Sequence, residues 1–210
     1  MIIGIPVYQK VDLLDVAGPY EIFNWVNTYA PSAGFEVYTI AADSGIVTTR
    51  DGMVLKPHKR FDEVPKLDVL WVPGGDPSAL TEIMNDSRRI YLDFLVSRAA
   101  GAQWVASVCE GAMLLAAAGL LDGYLATTHW AFIPCFARFP KIKVAGGNPR
   151  FVVDRNRITG GGISSGLDES LKLVELIAGT AVAQQVQMVT QYFPCPPVSG
   201  AITPATSCPL

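Results

Sequence analysis

The stretch from Trp104 to Leu121 constrains the fold of this chain most, because it predicts a strand, a sharp turn and a helix in succession. Its first residues, 104–106, form a short apolar run typical of a buried strand. Residues 112–118 are good helix formers, and Gly119 suits the C-terminus of that helix. Cys109 lies at the junction, so the pattern predicts a cysteine on a strand-to-helix turn.

The neighbours of Cys109 fit a tight turn. Ser107 lies two residues before it and Gly111 two residues after, and small residues there let the backbone fold back on itself. This is the geometry of a nucleophile elbow, with sulfur in place of oxygen. The start of the following helix is expected to favour the reactive thiolate. The alternative is a buried structural cysteine behind a core strand.

Composition limits the class of protein. The chain has 210 residues, of which half are hydrophobic and 17% are charged, which predicts a compact globular domain with a sizeable core. A net charge of −3 gives no general attraction to nucleic acid or to an anionic membrane. The longest apolar run, residues 112–121, is too short to span a bilayer.

The termini and the cysteines indicate the compartment. A strand-like run, residues 2–7, begins directly after Met1, so no signal peptide is evident. The cysteines show no metal-ligand spacing, and in a chain of this length they do not suggest a disulfide scaffold. We therefore expect a cytoplasmic protein with reduced cysteines at positions Cys109, Cys135, Cys195 and Cys208.

Buried strands alternate with helices along the chain, which predicts a mostly parallel sheet covered by helices on both faces. Pro19 is expected to lie in the first turn of the first helix, which runs to about residue 29. A domain is predicted over residues 1–192, followed by a proline-rich tail over residues 193–210 that is extended or disordered. Ligands bind such sheets at the carboxyl ends of the strands, which here precede the loops 8–18, 73–77 and 108–111.

Two of these loops carry candidate chemistry. Asp15 lies between apolar residues, and is either a helix cap or a carboxylate near Cys109 with a pKa raised by burial. Gly74 and Gly75 end a buried strand, and form either a plain tight turn or a set of free N–H groups that hold an anionic intermediate.

Later residues offer further candidates. His129 ends a short strand, and either pairs with the cysteine or is a structural histidine. Ser164 either lines the pocket or caps the next helix. Asp168 and Glu169 are expected to cap that helix, since its dipole favours acids in the first turn.

Five sequence segments carry a family resemblance, and they are Leu14–Pro19, Val72–Gly75, Ser107–Ala112, Ala126–Trp130 and Ile158–Asp168. In this order they resemble the ThiJ/PfpI superfamily, and the resemblance covers about residues 1–192. It implies an α/β, flavodoxin-like three-layer sandwich with a mostly parallel sheet and a cysteine nucleophile elbow. The fourth and fifth segments are most similar to the isonitrile hydratase branch and the related regulator domains.

The resemblance implies hydration of an isonitrile-like small molecule to an N-substituted formamide. It makes Cys109 the nucleophile and Asp15 the acid/base, and it implies a homodimer that needs no metal or organic cofactor. Four further residues, which line the expected pocket, are predicted to bind the substrate. They are Gly74, Gly75, His129 and Ser164.

Glu110 departs from the family pattern. Isonitrile hydratases typically carry a threonine directly after the cysteine and the PfpI-type proteases a histidine, so Glu110 argues against a protease. Its carboxylate either relays protons as a third catalytic group or raises the thiol pKa and slows attack.

Two other functions stay open. One is a glyoxalase-type enzyme of the same superfamily that acts on aldehydes. The other is a ligand or redox sensor, like the sensor half of the related transcription regulators. Those regulators continue into a helix-turn-helix domain, for which the proline-rich end of this sequence is expected to leave no room.

Overall fold

The computed structural model describes residues 1–210, and strands alternate with helices as the sequence predicts. The strands are β1 (Ile2–Pro6), β2 (Glu36–Ala41), β3 (Val47–Thr48), β4 (Val54–Leu55), β5 (Lys59–Arg60), β6 (Val69–Val72), β7 (Trp104–Ser107), β8 (Leu125–Ala126), β9 (Lys143–Val144), β10 (Phe151–Asp154) and β11 (Arg157–Gly160). The helices are α1 (Leu13–Tyr29), α2 (Pro77–Asn85), α3 (Ile90–Ala99), α4 (Gly111–Ala117), α5 (Ser165–Ala178) and α6 (Thr180–Val189). A 3₁₀ helix covers Trp130–Arg138, where the sequence predicts a helix.

The main sheet has seven strands in the order β10-β11-β7-β6-β1-β2-β5. All neighbours run parallel except the β10–β11 hairpin. Its central order, β2-β1-β6-β7-β11, is the flavodoxin-like order. Helices α1, α5 and α6 pack together, as do α2, α3 and α4. The predicted three-layer α/β sandwich with a mostly parallel sheet is therefore confirmed.

The central strands are apolar because both of their faces are covered. All four residues of β6 are buried, and its sequence is the continuous run Val-Leu-Trp-Val. Such runs are typical of parallel strands between two helix layers. Trp71 is completely buried and packs edge to face against Phe23 of α1, with ring centroids 5.6 Å apart. This contact fixes α1 against the middle of the sheet.

Helix α1 begins at Leu13, so the prediction that Pro19 lies in its first turn is wrong. Pro19 lies inside the helix, where its missing N–H leaves the carbonyl of Asp15 without its usual partner. The indole N–H of Trp71 donates to that carbonyl at 3.0 Å. The proline is therefore tolerated, and Asp15 lies in the first turn of α1.

The tail differs from the expectation in one respect. Residues 193–210 contain no helix or strand, but Cys208 forms a disulfide with Cys135 in the 3₁₀ helix. The expectation that all cysteines are reduced is therefore wrong for this pair. A separation of 73 residues hides the pairing from sequence inspection. Cys208 and Leu210 also pack against the hydrophobic core.

The free cysteines are Cys109, which is buried, and Cys195, which is exposed. None of the helices combines the length and the apolar character that a membrane crossing requires.

Candidate active site

The loops after β1 and β6 meet at the carboxyl end of the sheet. Val11 forms an antiparallel bridge with Gly75, and the Asp12 N–H donates to the Gly74 carbonyl at 3.0 Å. The third loop joins them, because the Val108 N–H donates to the Val72 carbonyl at 3.1 Å. All three loops singled out from the sequence therefore lie together, at the switch point where such folds bind ligands.

Cys109 occupies a sharp turn with a φ of +56°. This left-handed conformation is unusual for a residue with a side chain and is found where the surroundings hold it in place. Here the Cys109 N–H donates to the Gly161 carbonyl at 2.8 Å, and the Thr128 hydroxyl donates to the Cys109 carbonyl at 2.7 Å. A Cβ at Gly111 would lie 2.1 Å from the Val72 carbonyl oxygen, so the predicted small residue is required there.

The thiol of Cys109 is buried, with 1% of the residue exposed. Burial raises the pKa of Cys109 well above its usual value, and the neighbouring acids Asp15 and Glu110 would raise it further wherever they are ionised, as does the hydrogen bond with the Glu110 side chain. The expectation that the start of α4 favours the thiolate is therefore wrong for this structure. Desolvation and two neighbouring acids outweigh the dipole of a two-turn helix, and the neutral thiol is the resting form.

Asp15 is completely buried, and its Oδ2 accepts a hydrogen bond from the Gly74 N–H at 2.8 Å. Burial raises the pKa of Asp15 well above its usual range, with Asp12 and Glu110 contributing and the Gly74 hydrogen bond opposing. The predicted direction is therefore confirmed, and Asp15 holds a proton in preference to a charge. The N–H of Gly74 is committed to Asp15, so it is not free as expected.

Glu110 precedes α4 and is 4% exposed. Burial raises the pKa of this carboxyl as well. Its Oε2 has no hydrogen-bond partner, and it would lie 2.5 Å from a Cβ at Gly74. Glycine at position 74 therefore makes room for the Glu110 carboxylate. Gly75 has a different role, since a Cβ there would lie 2.7 Å from the Lys10 carbonyl oxygen in the loop after β1.

Asp12 is an acid of the site that the sequence reasoning missed. One ligand atom each of Asp12, Cys109 and Glu110 lies within 4.8 Å of the other two. Asp12 is 3% exposed, and its Oδ1 lies 3.2 Å from Nε of Arg50. Burial raises the pKa of Asp12, and Arg50 opposes this. An acid between two apolar residues, Val11 and Leu13, is the sequence feature that could have identified Asp12, but nothing in the sequence predicts that Arg50 lies beside it.

His129 and Ser164 line a neighbouring cavity of about 350 Å³ together with Leu14, Trp130, Ile163 and Ile202. Nδ1 of His129 accepts from the Ala131 N–H at 3.3 Å, which is a capping contact of the 3₁₀ helix. Burial lowers the pKa of His129, which favours a neutral ring. This supports a structural histidine over a partner of the cysteine.

The first turn of α5 differs from the capping expected of it. Asp168 forms an ion pair with Arg150, which also donates to the Ser164 hydroxyl at 3.1 Å. Glu169 is completely buried, and neither of its carboxylate oxygens has a hydrogen-bond partner. Burial raises the pKa of Glu169 well above its usual range, so it stays neutral in preference to capping the helix as an anion.

Fold and site together define a flavodoxin-like α/β protein with a buried cysteine on a strained elbow, surrounded by carboxyl groups. Residues 2–176 match the model of the DJ-1/PfpI family. The chain belongs to this family, and the suspected ThiJ/PfpI membership is confirmed.

Individual relatives agree with this assignment. The chain is 40% identical over 195 residues to an isonitrile hydratase of Pseudomonas putida, covering 93% of this chain and 80% of the relative. It is 30% identical over 173 residues to the HTH-type transcriptional regulator GbdR of Pseudomonas aeruginosa. That match covers 82% of this chain but only 45% of the regulator, so the chain spans less than half of its length.

Solved structures show the same fold. A ThiJ/PfpI family protein from Pseudomonas syringae superposes with a TM-score of 0.84 at 34% identity, covering 94% of this chain and 77% of that one. DJ-1beta of Drosophila melanogaster superposes with a TM-score of 0.75 at 19% identity, covering 90% of this chain and 97% of that one.

Proposed function

We propose that this protein hydrates small isonitriles, R–N≡C, to N-substituted formamides, with Cys109 as the nucleophile and Asp15 as the acid/base. The observation that carries the proposal is a buried carboxyl, that of Asp15, close enough to the buried elbow thiol for its charge to raise the pKa of Cys109. An uncharged pair of this kind suits an uncharged substrate that must receive a proton. The 40% identity to an isonitrile hydratase supports the choice of substrate.

In the first step the sulfur bonds to the terminal isonitrile carbon, and that carbon takes the proton of Asp15. Asp15 then accepts the proton that the thiol loses, so the carboxyl is regenerated and a thioimidate, R–N=CH–S–Cys109, remains. The first of these transfers needs a carboxyl that is protonated at neutral pH, which is the direction in which burial shifts the pKa of Asp15. The second transfer then uses the carboxylate that the first one leaves.

In the second step water adds to the carbon of the thioimidate. Asp15 takes one proton from the water and gives its own to the nitrogen, which produces R–NH–CH(OH)–S–Cys109. Collapse of this adduct breaks the carbon–sulfur bond, and the hydroxyl proton returns to the sulfur through Asp15. Formamide and free thiol are released, and no other reactant is consumed.

Glu110 acts on the sulfur by charge in this scheme. Its carboxylate raises the pKa of Cys109 and so disfavours the loss of the thiol proton that accompanies the attack. The cavity beside the elbow supplies apolar contacts for the R group from Leu14, Ile163 and Ile202. Gly75, His129 and Ser164 remain predicted substrate contacts on the same side of the sheet.

The test is incubation of the purified protein with a simple alkyl isonitrile and detection of the formamide by mass spectrometry. We expect turnover by the wild-type chain and none by Cys109→Ser, whereas Cys195→Ser, which changes the exposed free thiol, is the matched control and keeps its activity. Formamide production by Cys109→Ser at the wild-type rate would remove the nucleophile from the proposal.

A sensor is the second candidate, favoured by the match to the regulator GbdR over 82% of this chain. Binding and product measurements distinguish the two functions, because a sensor binds its ligand at the elbow and releases no product. Saturable binding of isonitriles without formamide would favour the sensor. Inertness to isonitriles combined with turnover of small aldehydes would favour the glyoxalase-type alternative.

We further infer from the family that the protein is a homodimer. The cytoplasmic location expected from the sequence stays a proposal, and the Cys135–Cys208 disulfide argues against it, because disulfides are rare in reducing compartments. Sedimentation at micromolar concentration tests the first point, and only a 22.5 kDa species would contradict it. Fractionation of the source cells tests the second.

A further inference from the structure

Asp12, Cys109 and Glu110 bring one sulfur and two carboxylates together, with one ligand atom of each within 4.8 Å of the others. None of the three residues is more than 4% exposed. Oδ2 of Asp12 and Oε2 of Glu110 have no hydrogen-bond partner. Buried carboxylate oxygens without partners are rare because their desolvation is not compensated, so each calls for an explanation.

The orientation of Asp12 is also informative. Aspartate is a favoured N-cap residue, since its carboxylate accepts from the first N–H groups of a helix. Asp12 precedes α1 in this position, yet its side chain makes no capping hydrogen bond. The carboxylate is directed instead toward Cys109 and Glu110.

The carboxyl groups of the site outnumber the cationic side chains that contact them. Arg50 contacts Oδ1 of Asp12, and 37% of its side chain is exposed to solvent. One partly solvated guanidinium serves two buried carboxyl groups beside a buried thiol. A divalent cation between the free oxygens and the sulfur would supply the missing charge without displacing Arg50.

We propose that Asp12, Cys109 and Glu110 form a binding site for a thiophilic divalent cation, for which Zn²⁺ is the best match. Zinc takes thiolate and carboxylate ligands in a tetrahedral arrangement. Zn–S and Zn–O lengths of about 2.3 and 2.0 Å place neighbouring ligand atoms roughly 3.5 Å apart, which small side-chain rotations reach from 4.8 Å. Mg²⁺ and Ca²⁺ require larger sets of oxygen ligands.

Occupancy has a direct consequence for the sulfur. A cation bonded to Cys109 engages the lone pair that would attack a substrate, so Zn²⁺ blocks the nucleophile reversibly. Three protein ligands leave a fourth position for water. The site is defined by these ligands alone and does not depend on the identity of the substrate.

The test uses Co²⁺ as a spectroscopic substitute for Zn²⁺, in a Cys195→Ala background where Cys109 is the remaining free thiol. We expect a sulfur-to-cobalt charge-transfer band in the near ultraviolet and tetrahedral bands in the visible, both abolished by one equivalent of Zn²⁺. Mg²⁺ should leave them unchanged. Absence of the charge-transfer band would overturn the proposal.

Variants identify the ligands. Substitution of residues that only hold the ligands of a metal site in place reduces the metal affinity about 10–100-fold. Loss of a ligand itself, in Asp12→Asn or Glu110→Gln, should therefore weaken Co²⁺ binding by at least roughly tenfold. Asp62→Asn, at an exposed acid, is the matched control and should bind normally. Equal affinity in all three variants would show binding by a lone thiol and would also overturn the proposal. Because binding is read without turnover, absence of hydratase activity leaves this result unaffected.

Discussion

Replacement of Asp15 tests the proposed chemistry most directly, because two substitutions separate its proton from its structural role. In Asp15→Asn the amide oxygen still accepts from the Gly74 N–H, but the titrating proton is gone. Turnover of an alkyl isonitrile should fall about a hundredfold or more, the usual scale of general acid–base catalysis. That corresponds to roughly 2.7 kcal/mol in the activation barrier.

Asp15→Ala removes the acceptor as well. The Gly74 N–H is then left buried without its partner, which costs about 1–3 kcal/mol in unfolding free energy. Asp15→Ala should therefore lose both stability and activity, whereas Asp15→Asn should lose activity only. Urea unfolding measures the stability of both variants under the conditions of the turnover assay.

The pH dependence gives a further readout. Because folding raises the pKa of Asp15, its proton stabilises the fold at acid pH, and this contribution is lost as the pH rises through the folded pKa. Asp15→Asn cannot ionise, so its stability relative to the wild type should increase as the pH rises from acid to neutral. Normal turnover by Asp15→Asn, or a stability difference that does not change with pH, would refute the reasoning.

The remaining predictions concern the neighbourhood of the elbow and the tail. Glu110→Thr removes an acid that raises the pKa of the Cys109 thiol, so turnover should be kept or increased. Iodoacetamide should also alkylate Cys109 at a lower pH than in the wild type. An inactive variant would instead give Glu110 an essential catalytic role. Gly111→Ala places a Cβ 2.1 Å from a backbone oxygen and should lower the free energy of unfolding, measured in urea, by about 1–3 kcal/mol. Gly101→Ala has open space around the new Cβ and should leave the stability unchanged. Equal stability of the two variants would contradict the packing argument. Cys208→Ser opens a covalent loop with a sequence separation of 73 residues and should lower the free energy of unfolding by roughly 2–4 kcal/mol when measured without reductant. A variant that melts at the same temperature as the wild type would contradict this.

The sheet and the elbow could be predicted from the sequence because local patterns specify them. Buried strands between two helix layers are continuous apolar runs, and the turn at Cys109 requires small neighbours in sequence. The buried state of Asp15 followed from its apolar neighbours. The start of α1 could not be predicted in the same way, because a carbonyl left unpaired by Pro19 is satisfied by Trp71, a residue far away in the chain.

The rest of the site depends on contacts between distant segments. Arg50 reaches Asp12 from the region of the β3–β4 hairpin, and the partner of Cys208 is fixed by where the 3₁₀ helix packs. The protonation state of Cys109 was mispredicted for a related reason. The helix dipole is visible in the sequence, whereas the desolvation that outweighs it exists only once the three loops have closed over the sulfur.

The hydrogen bond from the Trp71 indole N–H to the Asp15 carbonyl provides an NMR probe of the first turn of α1. The indole N–H proton is completely buried and bonded to the backbone of the proposed acid/base residue, so its NMR resonance should be isolated and slow to exchange with deuterium. The chain contains four tryptophans, so one nitrogen-15 indole spectrum with a Trp71→Phe comparison assigns the signal. Displacement of α1 during ligand binding would then be visible without any attached label.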